Sequence, residues 1–247
     1  MQPQRKDRIL NMRIMDDLLG GLILAHTDAF NEVWKTVTGF QSHVVEIITQ
    51  KEIKSTTGKA IQCDIFAKDE NGDIYLIELQ RKSKDWPLKR TRYYLGAIAN
   101  HTLKPGDLYD DAPNVHMIVI FENAIDKCHG KQVFIEDNRK SSGTYVAYID
   151  ASYNTNNELS SLMSDLFQSD YLKMNNKTLA NWMKFYKTKG GLEVLDRELT
   201  KCEEQIIHEE KIEMARRMLV DNMSMELIAK YTELSIEEIQ VLAKNIE

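Results

Sequence analysis

The chain has 247 residues, 43% of them hydrophobic and 28% charged, with a formal net charge of −6. That composition is globular and excludes a low-complexity or disordered chain. No apolar run approaches the roughly 18 residues of a membrane span. No secretory pattern opens the chain, and its three cysteines show no metal-pair spacing, so a cytoplasmic protein without membrane contact is expected.

In chain order, residues 1–40 carry Leu18, Leu19, Leu22, Ile23 and then Phe30, Val33, Trp34 at helical spacing. Val44–Ile53 reads as a strand, and Ser55–Gly58 as a turn. Strands follow at Ala60–Lys68 and Ile74–Gln80, joined by Asp69–Asp73, whose Asn71–Gly72 pair signals a hairpin. Asp85 caps an expected helix, with Pro87 in its first turn, reaching about Asn100. Val115–Phe121 is an apolar strand except for His116. Thr144–Ile149 is another, and a short strand is expected at Val133–Glu136. From Glu158 onward the pattern is helical, interrupted at Gly190–Gly191. Leu192, Leu195, Leu199, Cys202 and Ile206 form a coiled-coil-like seam. Two short helices close the chain at Met225–Tyr231 and Ile236–Asn245, the last with a Ser235/Glu238 capping box.

The strand Ile74–Lys82 places Glu78, Gln80 and Lys82 on one face, with Ile77 and Leu79 on the other, core-facing side. A symmetric Asn-Gly hairpin pairs Lys68 with Ile74 and so sets Asp64 opposite Glu78. Directly opposed residues have Cβ atoms roughly 4.5–5.5 Å apart, where like charges repel. A hard divalent cation, Mg²⁺ or Mn²⁺, reverses that sign by accepting carboxylate oxygens. It also polarises a phosphoryl oxygen and activates water. In that reading Gln80 orients the water, and Lys82 or a base from a neighbouring helix neutralises charge. The alternative use of the two acids is pairing with Lys or Arg on a solvated sheet face.

The next helix brings Lys89, Arg90, Tyr93, Tyr94 and Ala97 to one face, where Arg90 and Tyr93 can hold a phosphate. The alternative is two core tyrosines with basic residues snorkelling beside them. Residues 51–104 hold eleven Lys and Arg against seven Asp and Glu, so a polyanionic substrate is admissible there despite the overall charge. Residues 191–247 hold seven against fourteen. With Glu237, Glu238 and Glu247 on the last helix, the tail suits interaction or homodimerisation better than DNA reading.

Several motifs appear together in one order. They are Met15–Asp16–Asp17, Lys54–Lys59 with Gly58, Asp64–Ile65, Leu76–Ile77–Glu78–Leu79–Gln80–Arg81, Lys89–Arg90–Thr91–Arg92–Tyr93–Tyr94, Gly106–Asp107–Leu108–Tyr109 and Met117–Phe121. This series resembles the PD-(D/E)XK nuclease superfamily, in its transposase-like branch of recombination-promoting nucleases. The resemblance runs from about Met15 to Ile228–Ala229. It implies an α/β (α+β) fold, a restriction-endonuclease-like mixed sheet flanked by helices, with an all-helical C-terminal extension. It further implies Mg²⁺-dependent (or Mn²⁺-dependent) DNA cleavage linked to recombination, with Asp64 and Glu78 as metal ligands and Asp17 as an additional acid. Gln80 stands where many members of the superfamily carry a catalytic lysine, and Gln carries no charge. Leu18–Leu19–Gly20–Gly21–Leu22–Ile23 departs from the Phe-containing, charged helix usual after Met-Asp-Asp. The expected organisation is a nuclease-like core at 1–155, helices packed on it at 156–190 and an acidic helical tail at 191–247. Three functions remain open: a metal-dependent DNA endonuclease, a nucleic-acid-binding or regulatory protein that has lost turnover, or a protein-interaction module using the helical tail.

Overall fold

The computed structural model describes residues 3–54, 59–81, 88–122, 132–135, 143–150 and 156–244, with the backbone alone at Leu88, residues 132–135 and Lys189. The turn expected at Ser55–Gly58, the Asp85 cap with Pro87, Lys82 and Glu136 lie outside the described residues. The chain divides into two compact units, Met1–Leu192 and Glu193–Glu247.

The first unit opens with helices α1 (Pro3–Leu10), α2 (Asp17–Leu24) and α3 (Thr27–Thr38). Gly39, at φ +83°, ends α3 in the left-handed conformation that glycine adopts without steric cost. Strands β1 (Val44–Ile53), β2 (Ile61–Asp69) and β3 (Ile74–Gln80) then form an antiparallel meander. Helix α4 (Leu88–Thr102) crosses over to β4 (Val115–Phe121), which lies parallel to β3. Strand β5 (Gln132–Ile135) runs antiparallel to β6 (Thr144–Asp150), and β6 runs parallel to β4. The described strands make one mixed sheet in the order β1-β2-β3-β4-β6-β5. Helices α5 (Glu158–Leu166) and α6 (Lys177–Lys187) complete the unit.

The β2–β3 turn shows why the hairpin closes where it does. Asp69 accepts the Asn71 and Asp73 N–H groups on Oδ1, each at 2.9 Å, and the Tyr75 hydroxyl on Oδ2 at 3.0 Å. Gly72 sits at φ +88°. An Asx turn followed by glycine thus fixes the register.

One face of the sheet is covered by α4. Tyr94 and Ile98 pack there with Cys63, Phe66, Ile74, Leu76, Met117, Val119 and Phe121. On the other face Trp34 of α3 meets Tyr75 edge-on, with ring centroids 5.0 Å apart, and His116 stacks on Tyr75 at 5.0 Å. His116 in its apolar strand is therefore part of an aromatic core. Strand β3 is covered on both sides, and Glu78 has 0% of its surface exposed. Central strands flanked by helices on both faces are buried throughout, so the face carrying the acids is not solvated.

The Gly190–Gly191 pair does not interrupt a helix. The break falls at Thr188, the extended C-cap of α6, and the two glycines lie in the first turn of α7 (Lys189–Val220). A Cβ on Gly191 would stand 2.2 Å from the Phe185 carbonyl oxygen, so only glycine permits this approach.

The second unit holds most of α7 together with α8 (Met225–Thr232) and α9 (Ile236–Lys244). Its core is Ala215, Ile228, Leu234, Ile239 and Leu242. Ser224 caps α8, Glu233 ends it at φ +59°, and the Ser235/Glu238 box caps α9. Ile206, expected in the seam, is 54% exposed. Among the described residues, no helix is long and apolar enough to cross a membrane.

Candidate functional site

The β2–β3 ladder pairs Lys68 with Ile74 and continues to Ile65 with Ile77, the register expected from the turn. One residue further, the backbone ladder gives way to side chains. The Asp64 N–H donates to Glu78 Oε1 at 3.2 Å, and the Leu79 N–H donates to Asp64 Oδ2 at 2.8 Å. The two carboxylates are thus wedged between strands at the level where they were expected to oppose each other.

Helix α2 brings a third acid. Asp16 is its N-cap and Asp17 its first residue. The helix sits close on the sheet because Gly20 lacks a side chain. A Cβ there would lie 2.2 Å from the Ile14 carbonyl oxygen and 2.7 Å from Leu79 Cδ1. The Leu18–Ile23 departure therefore has a packing reason: Gly20 lets α2 dock against the Leu79 side chain of β3.

These elements frame a cleft of about 510 Å³. Asp17, Asp64, Gln80 and Arg90 line it, as expected residues gathered in one place. Lys89 and Tyr93 do not line it, and neither does Glu78, which is buried behind Asp64. The helical phase turns Tyr93 outward, 42% exposed, and its hydroxyl donates to the Lys59 carbonyl at 2.6 Å. Tyr94 is the inward tyrosine. It accepts from Arg90 Nη2 at 2.8 Å and donates to the Gln62 carbonyl at 2.8 Å. Lys82 lies outside the described residues.

The cleft also contains residues that the sequence reading missed: Gln50, Gln62, Arg81 and Glu122. Arg81 pairs with Asp16 at 3.0 Å and Glu122 at 3.5 Å, while Arg13 bonds Glu122 at 2.8 Å. Arg81 stands in the quoted Glu-x-Gln-Arg motif, which was the available signal. Glu122, one residue past β4, had none.

Burial pushes the Asp64 carboxyl up to about 6, opposed by the Leu79 N–H and reinforced by Asp17. Glu78 is held well above the usual carboxylate range, first by burial and then by the neighbouring Asp64 charge. Burial also raises Asp17, with Arg81 opposing.

Whether a cation fits is decided at Glu78. Its Oε2 is buried and has no hydrogen-bond partner. A buried oxygen left unsatisfied costs about 1–3 kcal/mol, more when charged. A hard cation bound by Glu78 and Asp64 would remove that deficit and the repulsion together, so the donor set fits Mg²⁺ or Mn²⁺. The fit rests on two carboxylates. Among the described residues, no group of three or more His, Cys, Asp or Glu is placed to hold a metal, so Asp17 does not complete a triad.

Residues 41–244 match the sequence model of a family described as PD-(D/E)XK nuclease family transposase. No curated protein and no solved structure matches the chain.

Proposed function

The chain belongs to the family of PD-(D/E)XK nuclease transposases, and on that premise we propose that it is a divalent-metal-dependent endonuclease hydrolysing DNA phosphodiesters. The observation that carries the reading is the unpartnered buried oxygen of Glu78, which sits behind Asp64, and Asp64 itself lines a polar cleft. When bound, Mg²⁺ or Mn²⁺ supplies Lewis acidity toward a phosphoryl oxygen and an activated water. The protein's own residues do the rest. Asp64 and Glu78 hold the cation. The Gln80 amide, neutral and able to donate and accept, orients the attacking water. Arg90, set on α4 against Tyr94, binds phosphate oxygens. Arg81 lines the cleft next to Gln80, with its charge shared between Asp16 and Glu122.

The test is plasmid nicking with Mg²⁺ or Mn²⁺, run beside Asp64→Ala and Glu78→Ala. Nicking by the wild type alone supports the reading, and identical traces from all three proteins refute it. A second reading, a nucleic-acid-binding or regulatory protein without turnover, is favoured by the missing lysine at position 80. Metal-independent DNA binding by an inactive wild type would establish it.

A further inference from the structure

Gln50 is the oddity of the sheet. It lies within β1 yet has φ +52°, a left-handed backbone that non-glycine residues rarely adopt. It is opposite Asp64: the β1–β2 register runs through Thr49 with Ile65 and Lys51 with Cys63, passing over this pair. Strand β2 is therefore released from both neighbours at Asp64, by Gln50 on one side and by the end of the β3 ladder on the other. Such strained residues persist where the surroundings hold them, and they cluster at functional sites.

The side chain shows what the conformation achieves. Gln50 Nε2 donates to Asp64 Oδ1 at 3.4 Å, and Gln50 Oε1 accepts from Gln62 Nε2 at 2.9 Å. The Gln62 donor fixes which end of the Gln50 amide faces Asp64, because only the oxygen of Gln50 can accept from it. Gln62 is in turn held through its carbonyl by Tyr94, and Tyr94 by Arg90. Each Asp64 oxygen then has one neutral donor, Gln50 on Oδ1 and the Leu79 N–H on Oδ2. Each oxygen also keeps a lone pair for another partner.

We propose that Gln50 is a positioning residue whose side-chain amide, placed by its left-handed backbone and oriented by Gln62, aims the Asp64 carboxylate at the divalent cation. The proposal rests on the metal-site reading above.

Gln50→Gly separates site from scaffold, because glycine adopts φ +52° freely and so relieves the strain while deleting the amide. Mn²⁺ titration calorimetry at one fixed pH and thermal melting of the metal-free full chain are measured for wild type, Gln50→Gly, Gln50→Asn and Asp64→Ala. Asparagine tolerates the left-handed backbone but is one methylene short. Both Gln50 variants are expected to melt at or above the wild-type temperature and to bind Mn²⁺ more weakly, on the order of fivefold, as for loss of one ordinary hydrogen bond, since the Gln50 contact to Asp64 is long at 3.4 Å. Gln62→Ala is expected to weaken binding in the same direction. Wild-type affinity in both Gln50 variants overturns the proposal while leaving the metal site standing. A lower melting temperature in Gln50→Gly also overturns it, since the left-handed residue would then serve folding. Absence of Mn²⁺ heat in the wild type removes the metal-site reading and this proposal with it.

Discussion

Replacing Glu78 with methionine should stabilise the metal-free protein. Glu78 is fully buried, accepts one long bond from the Asp64 N–H at 3.2 Å, and leaves Oε2 without a partner. A buried ionisable group in that state gains less from its partners than it loses in hydration. Methionine has similar bulk and no charge, and it fills irregular apolar space well. Removing the unsatisfied oxygen should stabilise by about 1–2 kcal/mol, after allowing for the Asp64 N–H that loses its acceptor. For a unit of this size, that corresponds to a rise in Tm of roughly 2–8 °C. The gain must depend on pH. Burial raises the Glu78 carboxyl in the folded state, so folding favours its protonated form. The stability associated with that proton is present below the ordinary carboxylate range and is lost as pH rises through the folded-state value. The advantage of the variant should therefore be small near pH 4 and largest near pH 8. The assay is thermal melting in chelator at pH 4, 6 and 8. A variant that melts below wild type at every pH would refute the reasoning, by showing that the buried carboxylate stabilises the fold without a metal.

Mn²⁺ binding should weaken steeply as pH falls below about 6, because protons compete for Asp64, whose carboxyl burial has pushed up to that value; calorimetry at pH 5 and 7.5 would show it, and equal affinities would contradict it. In the metal-free protein the same shift acts in the opposite sense, since protonation of Asp64 is favoured by folding and its contribution to stability is lost between about pH 4 and 6. Gly20→Ala should destabilise by about 3 kcal/mol or more, because its Cβ would stand 2.2 Å from the Ile14 carbonyl oxygen and strain an overpacked contact; an unchanged denaturation midpoint would show that α2 can shift freely. Lys187→Met should cost about 3 kcal/mol, because the buried ammonium donates to the carbonyls of Leu10, Met12 and Ser169 at 2.6–2.7 Å and no other donor is supplied to them; urea denaturation measures it, and a neutral result would mean water takes over those carbonyls.

The hairpin was legible because two local signals agree. Apolar runs interrupted by Asp64 and Glu78 mark both strands, and Asp69 with Gly72 fixes the turn, so the register followed by counting. What surrounds the hairpin was not legible. Burial of both faces of β3 depends on α2 docking through Gly20, a contact between segments far apart in sequence. The choice between Tyr93 and Tyr94 depends on helical phase against β2, which two adjacent tyrosines leave undetermined. Gln50 carries no signal for a positive φ, because neither glycine nor asparagine occupies the position. Gly190–Gly191 read as a break because glycine disfavours helix, whereas close approach to the Phe185 carbonyl is what selects Gly191.

The central claim is that Asp64 and Glu78 share a divalent cation. Anomalous diffraction from a crystal of the full chain grown with Mn²⁺ tests it most directly. The account predicts one strong peak within coordination distance, roughly 2.0–2.3 Å, of an Asp64 oxygen and of Glu78 Oε2. A saturating Mn²⁺ experiment with no peak between these two carboxylates, or a peak held by other residues alone, would contradict it.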